Sequence, residues 1–522
     1  MNPAIQQLSK QARQAAASKN WQSVKQCASK ILELQRDSSE GWYLMGLTNA
    51  GVGQIPAATQ AFSQSLQHDS KRYDAAIELA SISGRTGKHG RAKELLDNYT
   101  DHLSNSPKYL FMAAETYSRL GLHSEAWPLY EAANAAQPNV AGIEAALATC
   151  ATKVGEIDLA TSLYDSLLLA NPNHQRNHYE RARLQTAVDG KHITAMQEVL
   201  ATSNLPVEQN IFLYYALAKE LEDREQWAEA FHYYQAGGDA AKQQCDAAGY
   251  SVGQDVALID NIIAQCSKRW VQAAQPVMHL DSDRNQPIFV VGLPRTGTTL
   301  VEKIIASHST VETADESFFL EMAIKSASRL RSVRDVTPSV IKAAVKNSQA
   351  KIAQQYFESI AYRLQGKQSF VEKYPFNFLY IGFIARYFPN AKIVLLNRNP
   401  LDACFAMYKQ PFFKFSYTQA DLVAYHNAYT RLMDHWHSAV GGLIEVSYES
   451  LVGDTEPQVR SLLDQLGLGF EMECVNYHQN QTASATASSV QVRQKPHTRS
   501  VGKWRNWETE LDELRNGLET GR

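Results

Sequence analysis

The hydrophobic pattern of the chain changes rhythm about halfway along. Up to about residue 249 the apolar positions follow helical spacing, and the pattern repeats. Gly53, Gly87, Gly121 and Gly155 stand 34 residues apart, as do Ala58, Ala92, Ala126 and Ala160. Phe62, Leu96, Tyr130 and Tyr164 keep this register. So do Met45, Leu79, Ala113 and Leu147, each followed by a small residue at Gly46, Ala80, Ala114 and Ala148. Pro138 and Pro172 close successive units. The period predicts stacked pairs of antiparallel helices that meet closely at small residues. Asn20-Trp21 to Leu34 reads as the second helix of an earlier unit. Beyond Pro172 the spacing slips to 35, at Ala195 and Ala230, yet Leu213 to Gly237 still reads as a helix pair. The helical stack is therefore expected to fill 1–249. Asp255 to Gln272 predicts a connecting helix and 279–286 a polar linker, so 250–286 form the join.

From Pro287 the pattern becomes that of a parallel α/β domain, expected over 287–522. Short apolar runs at Ile288 to Val291, Ser369 to Glu372, Lys392 to Leu396 and Leu443 to Val446 alternate with helical stretches such as Val340 to Leu364 and Ala420 to Ala439. Strands that alternate with helices imply a three-layer α/β/α domain with right-handed crossovers. Ligands in such sheets bind beyond the C-terminal strand ends. A cation stands at three of those ends: Arg295 after the first run, Lys373 after the second and Arg398 after the third.

The first run opens the stretch PIFVVGLPRTGTTLVEKIIA, 287–306. A strand, a glycine-containing turn and a helix N-terminus together cradle phosphate, because backbone N–H groups and the helix dipole face the same point. The spacing is that of the nucleotide loop GxxxxGK(S/T), with Gly292, Gly297 and Thr299 in place. Thr298 stands where the lysine that reaches the β/γ-phosphates belongs, so triphosphate chemistry is disfavoured. Arg295 is the compensating cation, which suits a single 5′-phosphate and its substituent. The bland alternative is a tight strand-to-helix turn with no ligand.

The segment Pro294-Arg295-Thr296-Gly297-Thr298-Thr299 after an apolar strand resembles the 5′-phosphosulfate loop of sulfotransferases that use 3′-phosphoadenosine-5′-phosphosulfate (PAPS). The wording is similar to the tyrosylprotein sulfotransferase-like branch that bacteria fuse to tetratricopeptide repeats, and the 34-residue period upstream is the tetratricopeptide one. The resemblance implies that Arg295, Thr296, Gly297, Thr298 and Thr299 bind the donor. Glu316, 21 residues after Arg295 in Thr313-Ala314-Asp315-Glu316, matches the family's catalytic base, with Asp315 as the fallback. Lys373, in Val371-Glu372-Lys373-Tyr374-Pro375, resembles the lysine that contacts the sulfate and the bridging oxygen. A lysine there also fits a snorkelling surface residue. Leu395 to Asp402 resembles the 3′-phosphate segment, where Arg398 would clamp that phosphate. The chain departs from the pattern at Ala406, where the family places a serine on the same phosphate. Thr498 to Trp504 resembles the loop that closes over the nucleotide, with Arg499, Ser500, Gly502 and Lys503 as donor ligands. No acidic residue lies between Glu473 and Glu508, so that segment is a positive flap. No metal is expected, because positioned N–H groups, Arg and Lys suffice for the transition-state charge.

The acceptor is less constrained. Tyrosylprotein sulfotransferases place arginines just after the base, whereas here Ser317-Phe318-Phe319-Leu320-Glu321-Met322 follows and no arginine occurs until Arg329. Phe318, Phe319 and Met322 favour an aromatic or apolar acceptor, or else form a helix core face. A protein tyrosine, a phenol and a carbohydrate hydroxyl all remain open. The repeats are expected to offer a groove to the acceptor or to a protein partner, the alternative being that they stabilise or homodimerise the enzyme.

Composition narrows this picture. A net charge of −3 over 522 residues makes no electrostatic case for nucleic acid. No stretch approaches the ~20 apolar residues of a membrane span, and the N-terminus shows no secretory h-region. Six cysteines scattered without CxxC pairing fit a reducing cytoplasm. A PAPS-dependent sulfotransferase is the leading reading. A repeat scaffold whose nucleotide-binding domain is inactive comes second, favoured by Ala406, and a nucleotide-dependent kinase third.

Overall fold

The structure is a computed structural model that describes residues 3–103, 106–202, 206, 209–273, 286–330, 335–347, 351–480, 482–484, 486 and 488–520. It divides into two compact units, Met1–Val154 and Gly155–Arg522.

The first unit is all helical. Helix pairs such as Ser39–Gly51 with Ile55–His68, Tyr73–Arg85 with His89–Tyr99, and Pro107–Arg119 with His123–Ala136 follow the sequence period. A further pair, Pro3–Ala17 with Trp21–Leu34, precedes them. The periodic glycines at 53, 87 and 121 make the turns within each pair with φ of 77°, 79° and 80°. The large residue of each unit fills the contact between helices: Phe62 and Leu96 are fully buried, and a Cβ on Gly46 would stand 2.5 Å from the Phe62 ring. Phe62→Ala is expected to cost about 3–5 kcal/mol, the usual range for removing a buried aromatic ring. A lower urea midpoint for the unfolding of this unit, followed by circular dichroism, is the check.

The second unit continues the pattern and then changes class. Gly155 again has a positive φ, 100°. The helices Ile211–Asp223 and Trp227–Ala247 are the pair expected near 213–237. The connecting helix is two, Val252–Gln265 and Lys268–Gln272. The linker expected at 279–286 lies outside the described residues except for Gln286, which opens the first strand. That strand, β1 (Gln286–Gly292), is joined by β2 (Val311–Asp315), β3 (Ser369–Lys373), β4 (Lys392–Asn397) and β5 (Leu443–Ser447) in the order β2-β3-β1-β4-β5, all parallel. Alternate residues of β1 face opposite layers. Phe289 and Val291 enter one core; Ile288 and Val290 enter the other. Tyr179, Leu217, Phe231 and Tyr234, from the helices before the linker, share the core of Phe289.

The pattern missed β2, which is an edge strand whose only apolar residues in Val-Glu-Thr-Ala-Asp are Val311 and Ala314. The first of its two acidic residues is nevertheless buried: Glu312 accepts from the backbone N–H groups of Gln365, Gly366 and Lys367 at 2.6, 3.1 and 3.1 Å. The single helix expected over Val340 to Leu364 is instead two, Pro338–Lys346 and Ile352–Ile360. Among the described residues, no helix is long and apolar enough to cross a membrane.

Candidate active site

β1 lies between β3 and β4, so Lys373 at the end of β3 and Arg398 just after β4 flank the loop 292–297. Strand order thus gathers the three cations at one rim. Within the loop Gly292, Arg295 and Gly297 have φ of 146°, 67° and 103°. Gly297 ends the turn against an aromatic wall: a Cβ there would stand 2.6 Å from the Tyr448 ring. Its conformation also disfavours any side chain. The Thr296 hydroxyl donates to the Leu293 carbonyl at 2.7 Å and closes the loop. Thr298 and Thr299 then begin the helix Thr298–Ala306, whose first-turn N–H groups lack intrahelical acceptors.

Arg295 donates to Ser488 Oγ at 2.6 Å and to Gln491 Oε1 at 3.1 Å. Burial, with the positive charges of Arg183 and Arg398 nearby, pulls its pKa down to about 10. An arginine among arginines gains most from an anion. Arg398 stands 4.5 Å above the Tyr448 ring and donates to the carbonyls of Arg295 at 2.8 Å and Ser500 at 2.7 Å. Its Nε is buried with no partner among the described residues.

Glu316 follows β2 across a register shift between Thr313 and Asp315, and Asp315 has a φ of 54°. This turn brings the Glu316 carboxylate onto the Lys373 ammonium in an ion pair. Lys373 is 1% exposed at its side chain and Glu316 33%, so the pair opens on the carboxylate side. Asp315 faces inward. Burial, with Glu302 adding repulsion, raises its pKa to about 6. The neighbouring Glu372 is buried, pushed up to about 7 by desolvation, and accepts from Ser317 Oγ at 2.6 Å and from the Tyr356 hydroxyl. It ties the segment after Glu316 to β3. Phe319 enters the core, whereas Phe318 and Met322 are exposed. Phe318 packs edge-on against Tyr374 at 4.8 Å.

The flap residues divide. Ser500 and Gly502 lie against the rim: the Ser500 carbonyl takes the Arg398 bond, and the Gly502 N–H donates to Asp402 at 2.6 Å. Lys503 pairs with Glu222 at 2.5 Å. Arg499 is exposed and donates to Gln494 at 3.1 Å. Sequence reasoning did not single out Tyr448, Asp402, Glu222 or Lys409 as site residues. Asp402 falls inside the Leu395 to Asp402 segment and was within reach of it.

Residues 287–472 match the family model described as the Sulfotransferase family. A putative protein-tyrosine sulfotransferase of Caenorhabditis briggsae is 25% identical over 236 residues, 43% of this chain and 82% of the relative. An uncharacterized protein of Aquifex aeolicus (strain VF5) is 27% identical over 439 residues. That alignment covers 82% of this chain, which spans just over half, 56%, of the Aquifex protein. Among solved structures, the sulfotransferase domain from the Synechococcus PCC 7002 olefin synthase aligns with 18% identity and a TM-score of 0.33, over 47% of this chain and 98% of that one. The chain thus joins a helical region of tetratricopeptide period to a C-terminal parallel-sheet domain that matches the sulfotransferase family model over 287–472.

Proposed function

We propose that the protein is a PAPS-dependent sulfotransferase that moves the sulfuryl group to a hydroxyl acceptor. The observation that carries this reading is the Glu316–Lys373 ion pair at the rim beside the glycine loop. Kinase chemistry would need a cation at Thr298. Here the cations sit at Arg295, Lys373 and Arg398, a set suited to a phosphosulfate at one end and a 3′-phosphate at the other. PAPS supplies the sulfuryl group. The loop N–H groups, Thr296 to Thr299 and Arg295 hold its 5′ end. Arg398 takes the 3′-phosphate, and its buried Nε, which has no partner among the described residues, supports that role. Glu316 accepts the proton of the acceptor hydroxyl as that oxygen bonds to sulfur. Lys373 donates toward the oxygen released from sulfur. No metal takes part in this reading.

Exposed Phe318 and Met322 beside Glu316 favour an aromatic acceptor, a protein tyrosine or another phenol. In this reading residues 1–249 recruit the acceptor or a partner in the cytoplasm, and 287–522 do the chemistry. The second reading, a scaffold that binds nucleotide but does not turn over, rests on Ala406.

Calorimetric titration with adenosine 3′,5′-bisphosphate, 5′-AMP and Mg-ATP tests the donor site. Metal-independent binding that needs the 3′-phosphate is the expected result. Absence of binding to all three would favour a scaffold that has also lost its nucleotide. Preference for Mg-ATP would mean a kinase.

A further inference from the structure

Glu222, near the end of helix Ile211–Asp223, is a carboxylate whose side chain is 8% exposed. A buried carboxylate must be compensated, and here two cations share it. Lys409 Nζ lies 2.9 and 3.1 Å from its two oxygens, and Lys503 Nζ lies 2.5 Å from Oε1. The Tyr234 hydroxyl donates to Oε2 at 2.7 Å. Burial alone would raise the Glu222 pKa, but Lys409 and Lys503 more than offset it and hold it at about 2. Two ammonium groups thus share one carboxylate.

The two lysines come from separate segments of the chain. Lys409 follows the helix Pro400–Tyr408, which begins just after Arg398. Lys503 follows Gly502 in the flap. Hydrogen bonds tie the flap to this region at two points. Arg398 bridges the Arg295 and Ser500 carbonyls, and Asp402 accepts from the N–H groups of Gly502 at 2.6 Å and Trp504 at 3.4 Å. Beyond Lys503 the flap is pinned a second time. The Trp507 indole donates to the Trp227 carbonyl at 2.7 Å, with the two rings 5.0 Å apart. The helices 211–247 thus grip the flap at both Glu222 and Trp227.

A contact serving only to hold the fold would gain most from neutrality. Here the second cation, Lys503, is 37% exposed at its side chain and opens beside the flap, where an arriving anion can reach it. We infer that Glu222 is a positioning residue of the donor site: it holds Lys409 and Lys503 together so that their charge serves the 3′-phosphate, which makes helices 211–247 part of the nucleotide site. This rests on the PAPS reading above.

The test uses the full chain. Wild type, Glu222→Gln and Glu222→Asp are titrated with adenosine 3′,5′-bisphosphate and with 5′-AMP, and their melting temperatures recorded. Glu222→Gln is expected to weaken bisphosphate binding by roughly 10-fold, the scale of one hydrogen bond to a charged group, with 5′-AMP affinity unchanged. Glu222→Asp should recover part of the loss. A lower melting temperature with an unchanged bisphosphate-to-AMP ratio would mean a purely structural residue and overturn the inference. If Glu222→Gln does not fold, Glu222→Asp reads the same ratio, and no change there overturns it as well. Wild type that binds neither nucleotide would instead sink the PAPS reading, and the inference with it.

Discussion

On the proposed sulfotransferase reading, replacing Glu316 by glutamine is expected to abolish sulfuryl transfer while leaving adenosine 3′,5′-bisphosphate binding intact. The expected loss in single-turnover rate is roughly 10²–10⁴-fold, the usual contribution of a positioned general base. The substitution is close to a pure charge change. The amide oxygen that replaces the carboxylate still accepts from Lys373, so the contact that fixes the segment after β2 survives. The amide cannot take the acceptor's proton. Lys373 is itself 1% exposed, so the variant leaves its ammonium held by the amide oxygen alone, and a lower melting temperature with the fold retained is expected. A melting curve checks this. Asp315→Asn is the control. That carboxylate lies inward beside Glu302, where burial raises its pKa, and it does not make the Lys373 bond. If Glu316→Gln kept turnover within about threefold of wild type and Asp315→Asn lost it, the base would be Asp315.

What could be read from the sequence was whatever repeats or whatever is buried on both faces. The 34-residue glycines announced turns that do take positive φ. β1, β3, β4 and β5 lie in or beside the two cores, so their apolar runs marked them to within one or two residues. β2 is an edge strand. Its buried Glu312 is satisfied by the backbone of 365–367, and that is invisible in a local window. The rim cations were legible for a different reason. A strand end fixes where a side chain emerges, so Lys373 and Arg398 could be assigned to one edge before any geometry was known. Their partners could not. Arg295 meets Ser488 across 193 positions, and Lys409 meets Glu222 across 187. Such pairings arise from helices folding back onto the sheet and leave no local periodicity. The acceptor side fell between these cases. Phe318 and Phe319 are adjacent and chemically identical, yet one is exposed and the other buried, because consecutive residues on a helix face different directions.

Arg398→Ala is expected to lower bisphosphate affinity by about 100-fold or more and to narrow the discrimination between bisphosphate and 5′-AMP to what Lys409 and Lys503 still supply. Two losses combine. One is the charge-assisted contact to the 3′-phosphate, which 5′-AMP lacks; hydrogen bonds to charged groups contribute about 1.5–3 kcal/mol. The other is the bridge between the Arg295 and Ser500 carbonyls, which ties the glycine loop to the flap. The bridge affects both nucleotides, so 5′-AMP should also weaken, but less. Arg398→Lys separates the two terms. It keeps a cation but not the planar fork that spans two carbonyls above Tyr448. Its bisphosphate preference should therefore persist in part while both affinities fall. Equal losses for the two nucleotides in Arg398→Ala would assign Arg398 to the loop-to-flap bridge alone. The 3′-phosphate would then have to be sought at Lys409 and Lys503. That outcome would also bear on Ala406. With Arg398 on the 3′-phosphate, Ala406 removes one hydrogen bond from a site that retains its main cation. Without Arg398 there, neither position of the family's clamp would be in use.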